Sequence, residues 1–232
     1  MKPFLLRRMA AEFVGSFLLL AAIVGSGIMG ERLAAGNIAL ALLANSLATG
    51  AALIAILLAF GPISGAHLNP VVTLADAWAK GIAWRDVPAY IAAQFAGAFA
   101  GVAAAHLMFN LPLYAFSAHV RSGPAQVFSE FIATFGLMLV IFGCSRNRER
   151  MVPFAVGAYI TAAYWFTAST SFANPAVTLA RTITGTFSGI RLEDAVPFVA
   201  AQIAGACAAT LLCRWLMPAA VSEELPRCQP VE

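Results

Sequence analysis

Charge is what this chain has least of. Only 11% of its 232 residues are Asp, Glu, Lys or Arg, whereas 61% are hydrophobic and the mean hydropathy is +0.82. A soluble domain has about a quarter of its residues charged, so the composition excludes one and indicates a polytopic membrane protein. Metal-ligating side chains are nearly as scarce, with 3 His and 4 Cys. Cys144, Cys207, Cys213 and Cys228 show no metal spacing and no extracellular pairing; they read as buried small hydrophobes or free thiols. No nucleophile–base pair and no nucleotide loop is evident, which argues against catalysis and leaves no metal or cofactor to expect. The net charge of +3 asks for no nucleic acid, and "SRNRER" at 145–150 is read as a loop anchored at the membrane surface.

The charges that exist lie between apolar stretches at roughly 9–30, 38–60, 86–109, 125–145, 150–168 and 195–217. Most exceed the ~20 residues needed to cross a ~30 Å hydrocarbon core, and the fifth is near the lower limit. Residues 1–8 are basic, but the apolar run behind them has full span length and no cleavage pattern follows, so it reads as a span and not a leader. With the N-terminus inside, Lys2, Arg7, Arg8, Lys80, Arg85, Arg146, Arg148, Arg150, Arg214 and Arg227 fall on the inner side, against Arg32, Arg121, Arg181 and Arg191 outside. That bias predicts six spans with both termini cytoplasmic.

The two halves repeat one another. "AEFVGSFLLL" at 11–20 parallels "SEFIATFGLM" at 129–138, matching Glu12 with Glu130. "YIAAQFAGAFAG" at 90–101 parallels "FVAAQIAGACAA" at 198–209, matching Gln94 with Gln202. "GAHLNPVVTLA" at 65–75 parallels "TSFANPAVTLA" at 170–180. Repeat one covers about 8–110 and repeat two about 125–218, with 219–232 as a cytoplasmic tail, all in a single transmembrane domain. With three spans per half, the second enters from the opposite side. An inverted repeat of this kind builds its site near the midplane, between the halves.

Asn-Pro is a helix start: Asn caps, and proline at the first helical position lacks an N–H that would be unpaired anyway. Helices are therefore expected from Pro70 to about Lys80 and from Pro175 to about Thr184, each ~15 Å long and half a membrane deep. "GPISGAHL" at 61–68 and "FTASTSFA" at 166–173 are the non-helical approaches. Irregular backbone at that depth is tolerated when packed in protein or lining a wet cavity, so both segments read as re-entrant. Their tips would bring Asn69 and Asn174 together beside two positive helix ends, a midpoint that hydrogen-bonds a solute oxygen and repels cations. Carbonyls around Gly65, Ala66, His67 and Leu68, and around Thr170, Ser171, Phe172 and Ala173, would line one wall. Such a lane suits small neutral molecules carrying hydroxyls.

Glu12 and Glu130 are ionisable residues inside spans, where a functional role is the default. Two roles stand open, a proton relay and support of the re-entrant loops, and the symmetric duplication favours support. Gln94 and Gln202 would act similarly or bridge spans. His67 reads as a loop-stabilising or pore-lining donor; His106 and His119 carry no clear signal. Gly97 and Gly101 form a close-packing pair.

These features together resemble the aquaporin and aquaglyceroporin superfamily, over essentially the whole chain from Glu12 to about Trp215. The resemblance implies an all-α membrane fold of six tilted helices plus two re-entrant half-helices, one pore per subunit and a homotetramer. It assigns the pore centre to Asn69, Pro70 and Val71 with Asn174, Pro175 and Ala176. By family spacing the filter positions fall on Thr49, Ala162, Ser171 and Val177, with Phe172 as the alternative to Ser171.

Two departures from the family pattern carry weight. Val71 stands where the family has Ala, a local crowding change. Val177 follows the second box where nearly all members have an arginine, and Thr178 stands where glycerol channels have an aspartate. The filter set is small and uncharged, similar to bacterial aquaporin-like channels associated with arsenic resistance. The implied activity is passive diffusion of water, glycerol-like polyols and arsenite or antimonite, with methylated arsenicals within reach, in a bacterial inner membrane. Arg181, one turn beyond Val177, has two readings: a vestibule charge, which would draw anionic solutes, or a side chain reaching the headgroups. The rival class is an ion-coupled secondary transporter on the same inverted repeat.

Overall fold

A computed structural model describes residues 4–217. Lys2, Arg227, Cys228 and the tail at 219–232 lie outside the described residues. Those described form eight α-helices and short 3-10 turns, with no strand among them. Six are spans: α1 (Leu5–Leu33), α2 (Ile38–Ser64), α4 (Val87–Met108), α5 (Pro124–Asn147), α6 (Val152–Phe166) and α8 (Leu192–Leu216). Between them sit two half-helices, α3 (Pro70–Trp78) and α7 (Pro175–Ala180). Five of the spans are long and apolar enough to cross a membrane by length and composition. The fifth in order, α6, has 15 residues, or ~22 Å of helix. A 3-10 turn at Glu149–Met151 extends it at one end, and at the other it feeds directly into the second re-entrant loop.

Local chemistry sets these boundaries. Asn37 caps α2 by accepting a hydrogen bond from Leu40 N, and Gly65, at φ 89°, ends it in the left-handed conformation that glycine takes without strain. The approach to the first box departs from expectation here: residues 61–64 remain helical, with Pro62 inside the last turn. Proline removes a single N–H there, and the helix closes over it because Gly65 N still donates to Gly61 O. Pro at the first turn starts α4, α5 and α6.

The bundle is held by small residues at helix crossings. A Cβ placed on Gly97 or Gly101 of α4 would overlap the backbone oxygens of Phe13 and Phe17 on α1. The second repeat does the same: a Cβ on Gly205 of α8 would meet Phe131 O on α5. Between repeats, Gly50 of α2 and Gly157 of α6 face each other's carbonyl oxygens. Without a hydrophobic drive in lipid, such backbone approach is what associates helices. Large apolar side chains such as Leu47, Phe128, Val196 and Leu211 are exposed on the outer surface, while Glu12, Gln94, Glu130 and Gln202 are fully buried. That inside-out distribution matches a lipid-facing exterior and a polar interior.

Candidate functional site

Both half-helices begin as their sequences dictate. Asn69 and Asn174 sit in extended backbone as caps, with proline behind each. Asn69 Oδ1 accepts from Val71 N at 3.1 Å, and Asn174 Oδ1 from Ala176 N at 2.9 Å and Val177 N at 3.3 Å. Each carboxamide also reaches into the other repeat: Asn69 Nδ2 donates to Ala173 O at 2.8 Å, and Asn174 Nδ2 to Leu68 O at 2.7 Å. The two tips are thus tied by reciprocal hydrogen bonds. An NH₂ group carries two hydrogens, so each amide keeps one to offer, and both residues border the cavity.

The loops behind the tips are conformationally costly. Ala66 and Leu68 in the first, and Thr170, Ser171 and Ala173 in the second, have positive φ between 46° and 62°, which costs ~1–2 kcal/mol per non-glycine residue. Buried carboxylates hold them. Glu12 accepts from His67 N at 2.9 Å, Leu68 N at 2.7 Å, Ser64 Oγ at 2.6 Å and Gln94 Nε2 at 2.8 Å. Glu130 accepts from Phe172 N and Ala173 N, both at 2.8 Å, and from Gln202 Nε2 at 2.6 Å. Each glutamine donates onward to a half-helix threonine, Gln94 to Thr73 at 2.9 Å and Gln202 to Thr178 at 2.8 Å. Thr178 is consequently buried behind the wall, away from the lining residues.

One cavity of about 1920 Å³ runs past the tips. At the end where α1 begins, here the proximal end, its lining includes Arg8, Asp76, Lys80, Arg146, Glu149, Arg150 and Arg214. Toward the opposite, distal end it is bordered by Thr49, Tyr164, Phe172, Val177 and Arg181. Gly65, Ala66 and His67 also line it. His67 faces Thr73 Oγ1 at 3.2 Å and Asp76 Oδ2 at 3.5 Å. Among the described residues no group of His, Cys, Asp and Glu is placed to hold a metal ion.

Several sequence-predicted positions shift. Ala162 is exposed and absent from the lining. At 100° per residue it points away from Val156, Ile160 and Tyr164, the face of α6 that does border the cavity. Tyr164 takes the place expected for Ala162, its hydroxyl 3.3 Å from Thr49 Oγ1. Ser171 borders the cavity, but its Oγ is buried without a hydrogen-bond partner among the described residues; Phe172 presents a ring beside it. Val71 does not crowd the pore, because its side chain packs with Val72, Ala75, Met138, Ala206 and Ala209. Pro70, Pro175 and Ala176 are likewise buried behind the lining. Arg181 does not reach for headgroups: it is 2% exposed, in the cavity wall, with its guanidinium 3.5 Å above the Phe172 ring.

Arg121 escaped the sequence reading. It donates to the carbonyls of Ser169, Phe187 and Gly189 and to Thr170 Oγ1, clamping the second re-entrant loop from the distal side. Burial pushes its guanidinium down to about 10, which leaves it charged at neutral pH. Its partners are mostly backbone atoms, which leave no mark on the sequence.

Among the described residues the arrangement is a cavity bordered by hydrogen-bonding groups at its centre. The profile of the Major intrinsic protein family matches residues 1–171 and 147–230. The aquaglyceroporin AqpS of Rhizobium meliloti (strain 1021) is 55% identical over 213 residues, covering 92% of this chain and 91% of that one. Aquaporin NIP1-3 of Oryza sativa subsp. japonica is 39% identical over 171 residues, 70% of this chain and 59% of its own length. Among solved structures, the aquaglyceroporin from Plasmodium falciparum shares the fold at a TM-score of 0.73 and 21% identity, over 92% of this chain and 98% of that one. The chain belongs to the major intrinsic protein family, whose aquaglyceroporins are channels and not enzymes.

Proposed function

We propose that the chain is a passive channel for small uncharged solutes: water, glycerol-like polyols, arsenite or antimonite, and methylated arsenicals. The observation that carries this reading is the pair of capped tips at Asn69 and Asn174, tied to each other and bordering a single cavity that continues on both sides. Each asparagine offers one free amide hydrogen beside the positive end of a helix, a site for a solute oxygen and against a cation. Beyond it, Val177 stands at the third position after Asn174 and presents only a short apolar side chain to the cavity. Arsenous acid at neutral pH is an uncharged trihydroxy species, similar in shape and hydrogen bonding to a small polyol, so a passage that admits one suits the other.

In this reading Thr49, Tyr164, Phe172 and Val177 set the bore, and Glu12, Glu130, Gln94 and Gln202 support the loops. The proximal end faces the cytoplasm of a bacterial cell, and its basic lining of Arg8, Lys80, Arg146, Arg150 and Arg214 accords with the charge bias across membranes. The exposed apolar surface suits both lipid and the packing of four copies. The test compares water, glycerol and arsenite entry into proteoliposomes for the wild type and Val177→Arg. Wild-type flux is expected to be linear in solute and indifferent to a proton gradient; saturation at low concentration or acceleration by the gradient would establish the ion-coupled transporter instead. Val177→Arg is expected to cut glycerol and arsenite flux more than water flux, and an equal effect on all three would remove Val177 as the size gate.

A further inference from the structure

The inverted repeat places the same two loop positions together in both halves. Asp76 lies seven residues after Asn69 and His67 two before it; Arg181 and Phe172 stand at the same offsets from Asn174. In each half the later residue folds back over the earlier one: Asp76 Oδ2 is 3.5 Å from His67 Nε2, and the Arg181 guanidinium lies 3.5 Å over the Phe172 ring. All four line the cavity. The position of Arg181 is therefore set by the geometry of the half-helix and its loop, and it is the distal counterpart of the acid at the proximal end.

Arg181 leaves more unused than the buried hydroxyl of Ser171 or the tied amides of Asn69 and Asn174 in the same wall. Its Nε donates to Ser188 O. Among the described residues no acceptor takes its two Nη groups, no carboxylate pairs with it, and neither Nη is sealed away from the cavity. Arg121 beside it shows the opposite pattern, with each of its three nitrogens bonded to protein oxygen. Stacking on Phe172 fixes the plane of the Arg181 guanidinium, while its outer N–H groups remain open to the passage. A charge that is buried, unneutralised and oriented repels cations strongly, because the surroundings screen it poorly.

We propose that Arg181 is the specificity-determining cation of the distal end: its free Nη donors bind the oxygens of a passing polyhydroxy solute, and its charge bars monovalent cations. Arg181 enters the wall from the 3-10 turn that follows α7, four residues after Val177, so Val177 itself keeps a short side chain while the electrostatic barrier is kept. This inference rests on the channel reading.

The experiment uses liposomes loaded with K⁺ and carrying wild type, Arg181→Ala, Arg181→Lys or Arg181→Gln. Glycerol entry is followed by light scattering and K⁺ efflux by a voltage-sensitive dye. Wild-type vesicles no faster for glycerol than empty ones would defeat the channel reading itself, independently of Arg181. With glycerol flux present, wild type and Arg181→Lys are expected to hold K⁺, whereas Arg181→Ala leaks it roughly 10- to 100-fold faster while still passing glycerol. A glycerol-conducting Arg181→Ala as tight to K⁺ as wild type overturns the proposal. If Arg181→Ala does not fold, Arg181→Gln decides against Arg181→Lys. Leakage in the Gln variant alone supports the proposal; equal tightness, or equal loss of folded protein in both, overturns it.

Discussion

Removing the carboxylate of Glu130 tests what holds the second re-entrant loop. Thr170, Ser171 and Ala173 sit at positive φ, which stores roughly 3–6 kcal/mol at ~1–2 kcal/mol each. Opposing this, Glu130 accepts the N–H groups of Phe172 and Ala173, both at 2.8 Å. Hydrogen bonds to a charged group contribute ~1.5–3 kcal/mol apiece, so the two supply roughly 3–6 kcal/mol. Arg121 clamps the loop from the other side, but at Thr170 it holds only the side-chain oxygen. The terms are of one size, so Glu130→Ala, which leaves both buried N–H groups without an acceptor, tips the balance toward an opened loop. A loss of ~3 kcal/mol raises the opened population on the order of 100-fold. Glu130→Gln is intermediate, because its amide keeps one oxygen but turns an NH₂ toward a second donor. The assay is glycerol flux per reconstituted protein together with thermal stability in detergent. Expected are a loss of flux of at least about tenfold for Ala, a smaller loss for Gln, and lower thermal midpoints in the same order. Full flux and unchanged stability in Glu130→Ala would refute the reasoning. A Gln variant that loses proton flux alone, with glycerol untouched, would make Glu130 a relay.

Other perturbations probe separate parts of the same design. Gly97→Leu drives a side chain into the Phe13 carbonyl on α1 and is expected to abolish folded protein in size-exclusion chromatography, whereas Gly143→Leu, where an added Cβ meets open space, is tolerated. Asn174→Asp replaces the donor to Leu68 O with a carboxylate at two converging helix ends; water flux is expected to fall and cation leak to appear in voltage-dye assays. Thr49→Phe adds an aromatic ring beside Tyr164 and is expected to cut glycerol entry well below water entry in stopped-flow scattering.

Legibility of the sequence followed the kind of interaction at each point. The tips at Asn69 and Asn174 were readable because a capping side chain and a proline are a local signal that needs no neighbour. Glu12 and Glu130 were readable because a carboxylate inside an apolar span must be satisfied by something close. The face of α6 was not. Its residues are almost uniformly apolar, so no periodicity distinguishes Ala162 from Ile160 or Tyr164, and a spacing that stops two residues short of Tyr164 rotates the position by about 200° to the outer surface. Arg121 was unreadable because most of its acceptors are backbone carbonyls, supplied equally by any residue type. The helical end of α2 was missed because Pro62 in a last turn costs one hydrogen bond, and Gly65 absorbs the change of direction just beyond it.

The repeat is most exact where it is hidden and least exact where it meets the passage. Behind the wall, Glu12, Gln94 and Thr73 reproduce Glu130, Gln202 and Thr178 in identity, burial and hydrogen bonding. Strain in two similar loops calls for two similar solutions. In the lining, symmetry survives only around the centre: Asn69 with Asn174, and Val72 with Val177, each three residues beyond its asparagine. Farther out it is broken in sign, with Asp76 and His67 proximally and Arg181 and Phe172 distally. A solute thus crosses a neutral, symmetric middle between Asp76, set among basic side chains, at one end and Arg181 at the other. The middle has no side-chain charge with which to choose among solutes, so it can discriminate by size and by the count of hydrogen bonds offered at the asparagines. On the channel reading proposed above, rejection of ions falls to the helix dipoles and to the charged ends. On the proposal made above, Val177 and Arg181 are two halves of one arrangement: a short apolar side chain at the third position after Asn174 is compatible with an ion-tight passage because a buried guanidinium stands in the same wall.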